Sequence, residues 1–131
     1  MKHFIQITIK PFLIISGLFT ASTILLFISP KTALEGSLKL EFIETYRILI
    51  QHWGMIVFLV GLFLIISAFI TSWRFPIIVF ATVEKIFYVY LYIVSSQYKY
   101  SQGFFTSALI DAIIVIYFVI YILINYKEHL K

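Results

Sequence analysis

The chain predicts an all-α fold: an integral membrane four-helix bundle with four transmembrane helices and both termini on the same side. Three observations carry this. Of its 131 residues 62% are hydrophobic and only 12% charged, whereas a soluble domain is about 45–50% apolar and about 25% charged. Four apolar runs are each long enough, at about 1.5 Å per helical residue, to cross a hydrocarbon layer of about 30 Å. Polar stretches separate them, the 31–47 segment long and the others short. The whole chain, 1–131, therefore reads as one four-span transmembrane domain, with spans at about 11–29, 48–71, 76–95 and 104–125.

The first span opens at Pro11, which fits the first turn of a helix because its missing N–H is unpaired there anyway. The apolar run from Phe12 to Ser29 stops at Pro30. Lys2 and Lys10 imitate the basic start of a secretory signal, but the run is long for one and no small-x-small cleavage pattern follows, so it reads as a retained span. Ser16, Gly17, Thr20 and Thr23 fall on one side of the helix, where small and hydroxylated residues let a neighbour approach closely.

Residues 31–47 form the one long polar stretch. Leu38, Phe42, Tyr46 and Leu49 recur at helical spacing, so it reads either as a short interfacial amphipathic helix or as a solvated loop. In the second span Gly54, Gly61 and Ala68 are seven apart and share a face, which predicts tight packing against another helix. The turn at residues 72–76 is very short, so spans two and three are antiparallel neighbours.

In span three, Ala81, Glu84, Lys85, Tyr88, Tyr92 and Ser95 occupy one arc of the helix, and the purely apolar residues lie outside it. Charges on a membrane helix face the bundle interior, since each costs roughly 2.5–3.5 kcal/mol at the membrane centre. Span four places Asp111 on one face with Ser107, Ala108, Phe118 and Ile122. It ends in the interfacial, basic group Tyr126, Lys127, His129 and Lys131.

The depths of Glu84 and Asp111 differ by about one helical turn, roughly 5–6 Å, which the stem of the adjacent Lys85 covers. Lys85 with Asp111 is thus the most economical inter-helix ion pair. Glu84 then needs Arg47, a hydroxyl such as Tyr88 or Thr20, or a proton. Two readings follow. In one, the cluster only ties helices three and four together. In the other, it lines a polar pocket opening toward the 31–47 side, formed with Tyr88, Tyr92 and Ser107 and with Arg47 at its mouth. His52, beside Trp53 at a span's end, is a weaker ligand candidate and reads first as an interfacial anchor.

Composition excludes several classes. The chain has no cysteine, which removes disulfide exchange, thiolate metal ligation and Cys-attached haem. Its three histidines show no metal-ligand spacing, and no phosphate loop or nucleophile–base arrangement is present, so no catalytic residue is assigned. The net charge of +4 fits anionic lipid head groups better than nucleic acid. Basic residues divide five to four. Lys2, Lys10, Arg74, Lys127 and Lys131 lie on the terminal side, and Lys31, Lys39, Arg47 and Lys99 lie opposite. The short turn bearing Arg74 and the basic tail favour termini in the cytoplasm.

His52-Trp53-Gly54 with Gly61, Arg74-x-Pro76 at the turn, Glu84-Lys85 and Asp111, set in four close spans with a long first loop, resemble the DoxX-like group of small bacterial membrane proteins. The likeness covers the whole length, mainly as architecture. It implies the four-helix fold in a bacterial cytoplasmic membrane. Because that group includes a small subunit associated with quinone-linked sulfur oxidation, it also leaves room for quinone. Small multidrug transporters have the same span count but carry their essential glutamate in the first span, where this chain has Ser16, Thr20 and Thr23.

The expected function is therefore an accessory or ligand-binding membrane protein that contacts lipid or quinone. A partner membrane subunit or a second copy of the chain is its expected associate. The alternative is an oligomeric proton-coupled carrier of a small molecule, with Glu84 as the titrating group.

Overall fold

The computed structural model describes the backbone of residues 2–129 and the side chains through Lys127. Lys131 and the His129 side chain, part of the expected basic end, lie outside the described residues. The described chain is helical: α1 (Lys2–Ala21), α2 (Ile24–Ile28), α3 (Pro30–Ala33), α4 (Arg47–Phe69), α5 (Thr71–Ser95) and α6 (Phe105–His129). A π-helical turn follows α3 at Leu34–Leu38, and 3₁₀ turns precede α4 at Glu44–Tyr46 and α6 at Lys99–Phe104. Four helical stretches are long and apolar enough to cross a membrane: Lys2–Ile28, Glu44–Phe69, Thr71–Ser95 and Lys99–Lys127.

Helix α1 begins at Lys2 instead of Pro11, and Pro11 stands inside it. The proline forfeits its own backbone bond, and its ring crowds the carbonyl one turn earlier. Its ring lies on the exposed face, while Ile5, Ile9 and Leu13 are buried and hold the segment on the bundle. The chain kinks at Ser22-Thr23 and continues as α2. There the hydroxyls of Ser22 and Thr23 donate to the carbonyls of Phe19 and Thr20 at 2.6 and 2.8 Å.

The 31–47 stretch is neither a continuous amphipathic helix nor a plain loop. The helical turns end at Lys39, whose φ of 56° places it in the left-handed region, and the Leu40 N–H closes back on the Leu34 carbonyl at 3.4 Å. This is a helix C-terminus of the kind glycine usually occupies. The helical spacing of Leu38, Phe42 and Tyr46 is broken there. The Leu38 backbone then lies directly on Gly103 in the α5–α6 connection, in space a Cβ at position 103 would fill.

Helices α1 and α4 pack backbone to backbone. A Cβ on Gly17 would stand 2.7 Å from Ile65 Cγ1 and 2.8 Å from the Gly61 carbonyl, and one on Gly61 would fall on the Ala21 backbone. The expected small-residue stripe is thus a helix interface, with Gly54 likewise against Thr23 and Leu26. Helices α4 and α5 are joined by Ile70 alone, so the expected turn at 72–76 lies instead within α5, with Pro76 inside the helix. Arg74 secures the junction by donating from Nε to the Ser67 carbonyl (3.2 Å) and from its terminal nitrogen to that of Ala68 (3.1 Å). It supplies donors to carbonyls that a helix end leaves free. Arg74→Met is expected to lower stability by about 1–3 kcal/mol, the value of hydrogen bonds to a charged group, read as an earlier midpoint when the protein in mixed micelles is titrated with SDS.

The circuit closes between α1 and α6. The Phe12 and Tyr117 rings stack 3.8 Å apart, and the hydroxyls of Thr8 and Tyr117 meet at 2.7 Å. Ile9, Leu13, Leu64, Ile78, Ile114 and Phe118 form the centre of the apolar core. That core fills one end of the bundle and leaves the other end to polar groups.

Candidate functional site

The polar end is built around Lys85. Its side chain is 1% exposed, and Nζ lies 2.6 Å from Asp111 Oδ1. This is the cross-helix pair that the depth estimate predicts. Ala81, one turn earlier on α5, and Ala108 on α6 are both buried. Small residues at these positions suit the close approach of the two helices. One turn along α5 from Glu84, the Tyr88 hydroxyl contacts Ser107 Oγ at 2.6 Å. Ser107 donates its single proton to the Phe104 carbonyl at 3.0 Å, so Tyr88 is the donor to Ser107.

Glu84 is held differently. Its Oε2 is 4.0 Å from Lys85 Nζ, too far for a hydrogen bond. Among the described residues it is the one buried side-chain oxygen or nitrogen without a hydrogen-bond partner. Neither Arg47, Tyr88 nor Thr20 supplies one. Arg47 forks onto Glu44 with contacts of 2.5 and 2.8 Å and lies over the Phe42 ring. Thr20 donates to the Ser16 carbonyl.

Glu84, Lys85, Tyr88, Ser107 and Asp111 share the wall of one cavity of about 170 Å³. Phe19, Thr20, Thr23 and Leu26, with Trp53 and Val57 from α4, and Ala33, Ser37 and Leu38 from the segment after α2 also line it. Tyr92 and Arg47 do not line it. Tyr92 faces a second space of about 290 Å³ with Ser95, Tyr100 and Phe104, and Trp53 and Tyr88 border both. His52 is exposed and borders neither.

Sequence reasoning therefore brings Glu84, Lys85, Asp111, Tyr88 and Ser107 together, but it misses Trp53, Thr23, Leu38 and the turn that bears Leu38. Trp53 reads as an interfacial ring from its place at a span's end. The stripe Gly54–Gly61 is the signal that turns α4 toward α1, which carries Trp53 inward. Among the described residues no group of three or more His, Cys, Asp or Glu side chains is placed to hold a metal.

A bundle of four membrane-length helices around a charged interior cavity is the class that fold and site define. Beyond that class, no protein-family model, no curated protein and no solved structure matches the chain.

Proposed function

We propose that this is a small ligand-binding protein of the bacterial cytoplasmic membrane, with both termini cytoplasmic, that receives the polar end of a lipid-like molecule in the cavity beside Glu84. The observation that carries the reading is that Glu84, a residue lining a space of about 170 Å³, keeps a buried Oε2 without a hydrogen-bond partner. A buried carboxylate oxygen without a donor costs several kcal/mol, and a cluster that served only to tie α5 to α6 would need Lys85 and Asp111 alone. The DoxX-like resemblance agrees with this role and assigns no reaction. A partner subunit or a second copy of the chain would meet the exposed apolar faces of α5 and α6.

The test is native mass spectrometry of the full chain released from membranes. The wild-type protein is expected to carry an adduct, and Val57→Phe, which fills the cavity from α4, is expected to lose it while keeping the helical circular-dichroism spectrum. A wild-type protein without any adduct, or one whose adduct survives Val57→Phe undiminished, contradicts the reading.

The same unpartnered oxygen supports a second reading, a proton-coupled carrier in which Glu84 exchanges a proton for substrate. Substrate-driven proton release that Glu84→Gln abolishes would favour it.

A further inference from the structure

We infer that the cavity beside Glu84 takes a primary ammonium group, either that of a free small amine or that of an amine-bearing lipid head group. The inference rests on the ligand-binding reading above and names the chemistry of its ligand.

The cavity wall holds two carboxylates, Glu84 and Asp111, and one ammonium, Lys85. Counted as ionised groups they leave one negative charge without a counter-charge. Salt bridges among the described residues bring no further cation to them, because Arg47 is engaged by Glu44 outside the bundle. An anionic ligand would add to the excess, and the cation it would need, Lys85, is hidden and already bonded to Asp111. A monovalent cation balances the charge.

Five of the six lining hydroxyls, all but that of Ser37, are committed as donors. Thr20 and Ser22 donate to the carbonyls of Ser16 and Phe19, Thr23 to those of Thr20 and Gly54, Tyr88 to Ser107, and Ser107 to Phe104. With their protons committed, these oxygens offer lone pairs to a donor. An R–NH₃⁺ group brings three donors, one for the Glu84 carboxylate and the others for lining oxygens. Trp53 adds an aromatic surface of the kind that attracts ammonium ions. The volume suits a group about the size of benzene, which a comparable cavity of roughly 150 Å³ accommodates.

The test uses the full chain with Trp73→Phe. The chain has two tryptophans, so Trp53 becomes the single reporter. The protein, in an uncharged detergent at neutral pH, is titrated with ethylammonium chloride, with sodium chloride at matched ionic strength, with n-propanol as the neutral isostere and with tetramethylammonium chloride, which has no N–H. A saturable change in Trp53 emission is expected with ethylammonium. Affinity is expected to fall at least about tenfold in Glu84→Gln, and tetramethylammonium should bind at least about tenfold more weakly to the unmodified site. The second comparison decides the matter should Glu84→Gln fail to fold.

Dihexanoyl phosphatidylethanolamine saturating at lower concentration than ethylammonium assigns the lipid source, and the reverse order assigns the free amine. Equal binding of n-propanol or tetramethylammonium overturns the ammonium assignment and leaves the ligand-binding reading intact. A silent ethylammonium titration beside a native-mass adduct does the same. A silent titration with no adduct overturns both.

Discussion

Replacing Lys85 with Met is expected to be among the most damaging single substitutions in the chain, costing about 3–5 kcal/mol, the value for a buried ion pair that loses one partner. The change removes the one ammonium at the cavity and strands Asp111, whose Oδ1 sits 2.6 Å from Nζ, together with Glu84 at 4.0 Å. Asp111→Asn is expected to cost less. It leaves Lys85 a carboxylate at Glu84 within a small side-chain adjustment and keeps an acceptor at position 111. The double variant Lys85→Met/Asp111→Leu should recover much of the loss, because a well-packed apolar pair can equal a buried ionic one. The SDS midpoint of each purified variant measures the series, and Lys85→Met is expected to have the lowest midpoint of the three.

Gly61→Leu is expected to separate α1 from α4. Even a single Cβ at this position falls on the Ala21 backbone, and the Gly17 carbonyl lies 2.6 Å away. Neither is a side-chain tip that can swing aside, so the helices themselves must move apart. The cost belongs at or above the upper end of the about 1–3 kcal/mol typical of overpacking. Gly36→Ala is the matched control, since nothing lies within 4 Å of a Cβ there. It is expected to leave the SDS midpoint unchanged, whereas Gly61→Leu shifts it strongly and broadens the protein's elution from a sizing column.

The residues of the two variants also show what a sequence can and cannot reveal in this bundle. The Lys85–Asp111 pair was legible because charge on a membrane helix must face inward and the rise per residue fixes its depth. The stripe of Gly54, Gly61 and Ala68 told which face of α4 is approached closely. Its partner, Gly17 on α1, could not be told, since periodicity names a face and not a neighbour.

Local geometry decided the rest. Arg47 leaves the cavity mouth because Glu44, one turn away, captures both ends of its guanidinium fork. Tyr92 lies one turn from Tyr88 on the same arc, yet faces the second space, which Tyr88 and Trp53 also border. The break at Lys39 had no glycine to announce it. Gly36, the residue a reader would choose for that role, lies within the π-helical turn instead. The place of Leu38 in the cavity lining depends on that break and on Gly103, two features far apart in sequence.

The most direct measurement on the central claim, a ligand held at Glu84, is carboxyl ¹³C nuclear magnetic resonance of the full chain in detergent. The spectrum is tractable because the protein has six acidic residues and Asp111 is its one aspartate, and the Glu84 signal is the one that Glu84→Gln deletes. Adding ethylammonium chloride is expected to move the Glu84 resonance saturably, to move that of Asp111 less, and to leave Glu35, Glu41 and Glu44 where sodium chloride leaves them. A Glu84 resonance that stays fixed, or that follows the exposed glutamates step for step, would contradict the claim.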